Sequence, residues 1–168
     1  MAGADNAGDS LVSASATIER ARLALSAVVD PEIPVLTVED LGIIRDVTVD
    51  GDRVTVTITP TYSGCPAMDV IRCDIVAALD AAGFRDVSVQ TVFAPAWTTD
   101  WMSESGKHKL AEFGIAPPHP TGLADRPPVL CPRCRHDSRT ISEFGSTACK
   151  ALMVCTDCGE PFDYFKEL

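Results

Sequence analysis

Thr61-Tyr62-Ser63-Gly64-Cys65-Pro66-Ala67-Met68-Asp69 is the stretch whose reading decides the fold. A strand runs into it through Thr59-Pro60, and a helix opens at Pro66, since proline suits a first helical position where its missing N–H is no loss. Gly64 permits unusual backbone angles just before the helix. Cys65 is thus expected at or near the N-cap, where free N–H groups and the helix dipole favour a thiolate. A sulfur held there could bind a metal or attack an electrophile. A single cysteine is as a rule a small buried hydrophobe, however, so the turn alone does not assign a role.

On the C-terminal side, Met68, Ile71, Ile75, Ala78, Leu79 and Ala82 form one helical stripe, and Gly83 supplies the position after the cap. A strand over 87–93 follows. On the N-terminal side, Val54, Val56 and Ile58 alternate with Thr55, Thr57 and Thr59, predicting a half-buried strand with a threonine face. Asp50-Gly51 marks a hairpin to a strand over 43–49. A helix over 17–29 precedes these, ended by Asp30-Pro31. The loop Asp30-Pro31-Glu32-Ile33-Pro34 presents two carboxylates, which in such loops are most often solvated or capping groups. The order helix, strand, strand, helix, strand predicts an α+β domain over 17–114, one sheet with helices on a face. A short helix over 103–113 is expected after Trp97 and Trp101, which read as packing residues.

The chain has 168 residues, 46% hydrophobic and 23% charged, which suits a folded soluble protein. No apolar run approaches the roughly 20 residues that span a membrane. Residues 1–16, rich in Ala, Gly, Ser and Asp, read as a disordered tail and not a signal peptide. A net charge of −10 disfavours nucleic acid as a partner. Seven cysteines without a secretory signal predict a reducing, cytoplasmic setting and metal or thiol chemistry.

Residues 115–129 hold five prolines and are expected to form a stiff linker. Beyond them, over 130–168, stand Cys131-Pro132-Arg133-Cys134 and Cys155-Thr156-Asp157-Cys158, with 20 residues between the pairs. Each knuckle places two sulfurs one coordination shell apart, and two knuckles complete a tetrahedral site. A piece this short has too little core to fold unaided, so a structural metal is expected, zinc before iron. The module carries five basic and six acidic residues with no basic stripe, which favours a structural or protein-binding ribbon. Cys149 is spare to this ligand set, and Cys73 reads as inert packing inside its helix.

Asp30-Pro31-Glu32-Ile33-Pro34, Leu41-Gly42-Ile43-Ile44 and Tyr62-Ser63-Gly64-Cys65-Pro66-Ala67 resemble the SufT-like iron–sulfur assembly domain. With Phe144-Gly145-Ser146-Thr147-Ala148-Cys149-Lys150-Ala151-Leu152 and Glu160-Pro161-Phe162-Asp163-Tyr164-Phe165-Lys166, the chain resembles the PaaD family of ring-1,2-phenylacetyl-CoA epoxidase subunits over about residues 17–166. The resemblance implies an accessory role in phenylacetate catabolism, beside a di-iron monooxygenase whose oxygenase and reductase subunits carry the redox chemistry. It implies Cys65 as the residue for transient iron or iron–sulfur cluster binding, with Asp30 and Glu32 as the acidic positions of the same signature. The implied partners are the reductase or oxygenase subunits, and a homodimer is compatible with the sequence. The competing reading is a non-catalytic scaffold bridging those subunits. Thiol–disulfide chemistry is disfavoured because no Cys-x-x-Cys lies outside the ribbon. Catalysis of the epoxidation itself is disfavoured because no Glu-x-x-His pairs are present.

Overall fold

A computed structural model describes residues 6–125 and 127–168, with side chains from residue 15 onward. Helix α1 (Asn6–Leu25) begins well before residue 17. The expected tail is therefore helical over 6–16, while its first five residues lie outside the described ones. Once the helix exists, each added residue gains a hydrogen bond without a new nucleation cost, and alanine is the best propagator. At the other end α1 stops at Leu25, four residues short of the expectation, and a tight turn with Val28 N–H donating to Leu25 C=O (3.0 Å) carries the chain into Asp30.

Strands β1 (Ile44–Asp50) and β2 (Arg53–Ile58) form the hairpin, helix α2 (Ala67–Ala81) crosses over, and β3 (Asp86–Thr91) returns parallel to β2. The sheet order is β1-β2-β3, with α1 and α2 packed on it and on each other. Val47, Val54, Val56 and Ile58 meet Leu25, Ile71, Ile75 and Leu79 in the core, and Thr55 and Thr57 are half-buried. The alternation does not extend to Phe93, which lies beyond β3 and is exposed.

Helix α3 (Glu104–Phe113) is capped by the Ser103 hydroxyl accepting from Gly106 N–H (2.8 Å) and closed by Gly114 at φ +90°. Asp40 fixes α3 to the loop before β1. Its carboxylate accepts from Thr37 N–H (3.1 Å), the Ser103 hydroxyl (2.8 Å) and the Lys109 ammonium (2.6 Å). Burial raises its pKa, but Lys109 and these donors outweigh burial and hold the group at about 2. Gly42, at φ +67°, lets the Trp101 carbonyl approach: a Cβ there would stand 2.3 Å from that oxygen. The Trp101 ring carries the Arg45 guanidinium 3.6 Å from its centroid.

The ribbon is a second sheet of β4 (Ser138–Ser142), β5 (Lys150–Cys155) and β6 (Pro161–Phe165), all antiparallel. Ala116 joins β6 in a parallel bridge to Tyr164, and Ile115 is buried in the first core. The Pro-rich segment is thus more than a spacer. Its start belongs to both modules, Thr121 N–H donates to Asp100 (3.0 Å), and His119 N–H donates to Glu167 (3.2 Å). Phe165, 1% exposed, and Cys149 belong to the core of the first module, and the Phe165 ring lies 6.3 Å from that of buried Trp97. Trp97 itself donates from Nε1 to Leu41 C=O (2.9 Å).

Candidate metal centres

The turn before α2 places Cys65 one residue ahead of the N-cap, which is Pro66 at helical angles and not the cysteine. Gly64 takes φ +103°, as its position requires. Cys65 N–H donates to Tyr62 C=O (3.2 Å), and Cys65 C=O accepts from Met68 N–H (3.3 Å), which sets the thiol beside the helix end. It is half-buried against the core rather than sealed inside it.

The expected acidification does not occur. Burial pushes the Cys65 thiol up, and the Glu32 and Asp30 carboxylates add to this. The Ala67 N–H and the Thr61 side chain oppose them without prevailing. Asp30 is buried, and its Oδ1 accepts from Glu32 N–H and Ile33 N–H, both at 2.8 Å. It therefore shapes the loop that presents Glu32. Burial and then Asp30 raise Glu32, while Lys150 of the ribbon lowers it. Tyr62 is raised by burial and then by the charges of Cys65, Glu32 and Cys149.

The three sequence-predicted residues Cys65, Asp30 and Glu32 influence one another electrostatically, as do Tyr62 and Cys149, but the ligand atoms of the three are not all within 4.8 Å of one another. Tyr62 lies inside the motif, but nothing in its spacing assigns it a role. Cys149 arrives from 84 positions away through the docking of the ribbon, which local spacing cannot reveal. Cys73 departs from expectation: it is exposed on α2, between Ile71 and Ile75 and off their buried stripe.

At the far end, the Cys131, Cys134, Cys155 and Cys158 sulfurs lie within 4.8 Å of one another. The separations Cys134–Cys155, Cys134–Cys158 and Cys131–Cys158 are 3.4, 3.5 and 3.9 Å. Four sulfurs about 2.3 Å from a tetrahedral ion would stand about 3.8 Å apart, so the set fits zinc. The Asp157 and Cys158 N–H groups each lie 3.4 Å from the Cys155 sulfur. Against desolvation, these donors and the neighbouring thiols bring Cys155 down to about 6. Cys134 gains a lowering bond from His136 N–H, but desolvation and its three thiol neighbours push it up to about 12. Four adjacent thiols cannot all ionise without a cation among them. Cys134, His136 and Asp157 form an overlapping group that shares one of these sulfurs.

Comparison with known proteins agrees with both modules. A family model described as iron-sulfur cluster assembly protein matches residues 18–91, and one described as PaaD zinc beta ribbon domain matches residues 116–166. A protein of Escherichia coli (strain K12), provisionally named as a subunit of 1,2-phenylacetyl-CoA epoxidase, is 52% identical over 84% of this chain and 88% of its own length. An Fe-S protein maturation auxiliary factor of Porphyromonas gingivalis is 43% identical over 51% of this chain and 83% of its own. The crystal structure of a domain of unknown function, DUF59, from Bacillus anthracis superposes with a TM-score of 0.56 at 30% identity, over 60% of this chain and 96% of that one. With the two family models matched in tandem and 52% identity over 88% of the E. coli relative, the chain belongs to the PaaD family of 1,2-phenylacetyl-CoA epoxidase subunits.

Proposed function

We propose that the chain is an accessory subunit that helps mature a phenylacetyl-CoA epoxidase component, taking up ferrous iron or a nascent iron–sulfur cluster at Cys65 and passing it on. The carrying observation is the half-exposed Cys65 thiol under the charge of Glu32 and Asp30. A thiolate with a hard carboxylate beside it is a mixed donor set, suited to loose tenure of iron. Asp30 organises the loop, and Glu32 supplies the oxygen donor. The recipients are the reductase or oxygenase subunits, in a reducing cytoplasm. Zinc fills the four-cysteine ribbon and serves the fold. Among the described residues no helix is long and apolar enough to cross a membrane, and the net charge of −10 disfavours nucleic acid as a partner.

The test is epoxidase activity in cells that depend on this chain. Cys65→Ala is expected to lower that activity at least tenfold, while its far-UV circular dichroism and zinc content match wild type. Full activity of that variant would overturn the carrier reading and leave the scaffold reading, in which the chain only bridges subunits.

A further inference from the structure

Helix α2 has two faces, and the fold uses one of them. Ile71, Ile75 and Leu79 are buried in the core. Arg72, Val76 and Asp80 stand four residues apart in a second row, with Cys73 and Ala77 beside it, and all five are exposed. Val76 is 41% exposed, an apolar side chain left in water among small uncharged neighbours. The sheet order makes β3 an edge, and an open groove of about 720 Å³ runs between this row and Val87 and Val89 of β3.

The charges at the two ends of the row are open to a further partner. Among the described residues the Arg72 guanidinium makes no ion pair or hydrogen bond. Asp80 accepts from Arg85 at Oδ1 (2.7 Å) in an exposed pair, and its Oδ2 has no partner among the described residues. From its N-terminal to its C-terminal end the row is therefore positive, apolar, negative. Turned end for end, it is its own complement. Val76 meets Val76, each Arg72 faces an Asp80, and Asp69 on the same side falls opposite the uncharged Gly83. A two-fold contact asks for this, because one patch must bind a copy of itself. An unrelated partner would require no such internal symmetry. Cys73 and Ala77 are small, so two helices can approach closely along the row.

We propose that two copies of the chain pair through this face of α2, antiparallel about a two-fold axis at Val76, with Arg72 of each copy against Asp80 of the other. The apolar centre of the row supplies the contact, and the charged ends fix its direction and register. The 15 residues of α2 span about 22 Å. Antiparallel pairing therefore sets the two Cys65 turns at opposite ends of the helix pair, and each copy keeps a site of its own. No residue of the face belongs to the Cys65 turn, so the pairing stands apart from the carrier reading.

The experiment is sedimentation equilibrium of the zinc-loaded full chain, with reductant present so that no disulfide at Cys73 contributes. Wild type at about 50 μM is expected to show twice the mass of one chain. Val76→Asp puts two like charges on the axis, and Arg72→Glu sets a like pair at each end. Each is expected to weaken association at least tenfold. The double variant, Arg72→Glu with Asp80→Arg, exchanges both ends and is expected to recover the wild-type constant within about threefold. All three positions are exposed, so the far-UV circular dichroism of each variant is expected to match wild type. A monomeric wild type would overturn the proposal. So would a Val76→Asp chain that dimerises as wild type does, or a double variant no tighter than Arg72→Glu alone. Cys65→Ala is expected to dimerise like wild type, so failure of the pairing and failure of the carrier reading are told apart.

Discussion

Glu32 raises the pKa of the thiol it faces, and this has two opposed consequences. Removing its charge by Glu32→Gln lowers the Cys65 pKa, so more thiolate is present at any given pH. The rate of Cys65 alkylation by iodoacetamide, followed against pH by mass spectrometry, is expected to show its midpoint displaced to lower pH. Iron affinity in the same variant is expected to fall about tenfold, because an oxygen donor is lost. A variant more reactive yet poorer at metal capture separates a ligand from a merely reactive sulfur. Because binding releases the thiol proton, iron affinity of the wild type rises as pH rises toward the elevated thiol pKa. The position of Cys65 was legible from Gly64 and Pro66, but its acidity was not. Helix-end effects are local and readable from sequence, whereas desolvation and a carboxylate from another loop exist only in the folded chain.

The elements that position this thiol depend on close approaches between backbone segments. Gly42 admits the Trp101 carbonyl, and Asp40 gathers donors from its own loop and from α3. Gly42→Ala combines a left-handed backbone angle with a clash, and is expected to cost about 3 kcal/mol. Thermal unfolding followed by circular dichroism should show Tm lowered by about 10 °C. Strands and α2 were readable because their apolar periods, two and 3.6, are imposed by one buried face each. Ends were less so. The start of α1 was hidden because its first residues carry a composition shared by disordered tails and helix extensions. The stop of β3 before Phe93 was hidden because the alternation outlasts the pairing.

Taken whole, the molecule is less modular than its sequence. Proline content marked residues 115–129 as a boundary, and the knuckle spacing marked an independent ribbon, yet Ile115, Cys149 and Phe165 all lie in the first core. Such long-range packing leaves no local signature. Stripping the ribbon of its metal is therefore expected to disturb both halves. In a Trp101→Phe background, a strong chelator should shift the emission of Trp97 to the red as Phe165 withdraws, and should lower the Tm of the assembly module. Emission that stays constant while zinc leaves would show that the interface survives without the ribbon's fold. The phenyl ring of Phe165 sets a further rule for engineering and for descent alike. A graft of this ribbon onto a foreign carrier must bring a matching socket, and any lineage that sheds the ribbon has to plug the hole with a side chain of its own.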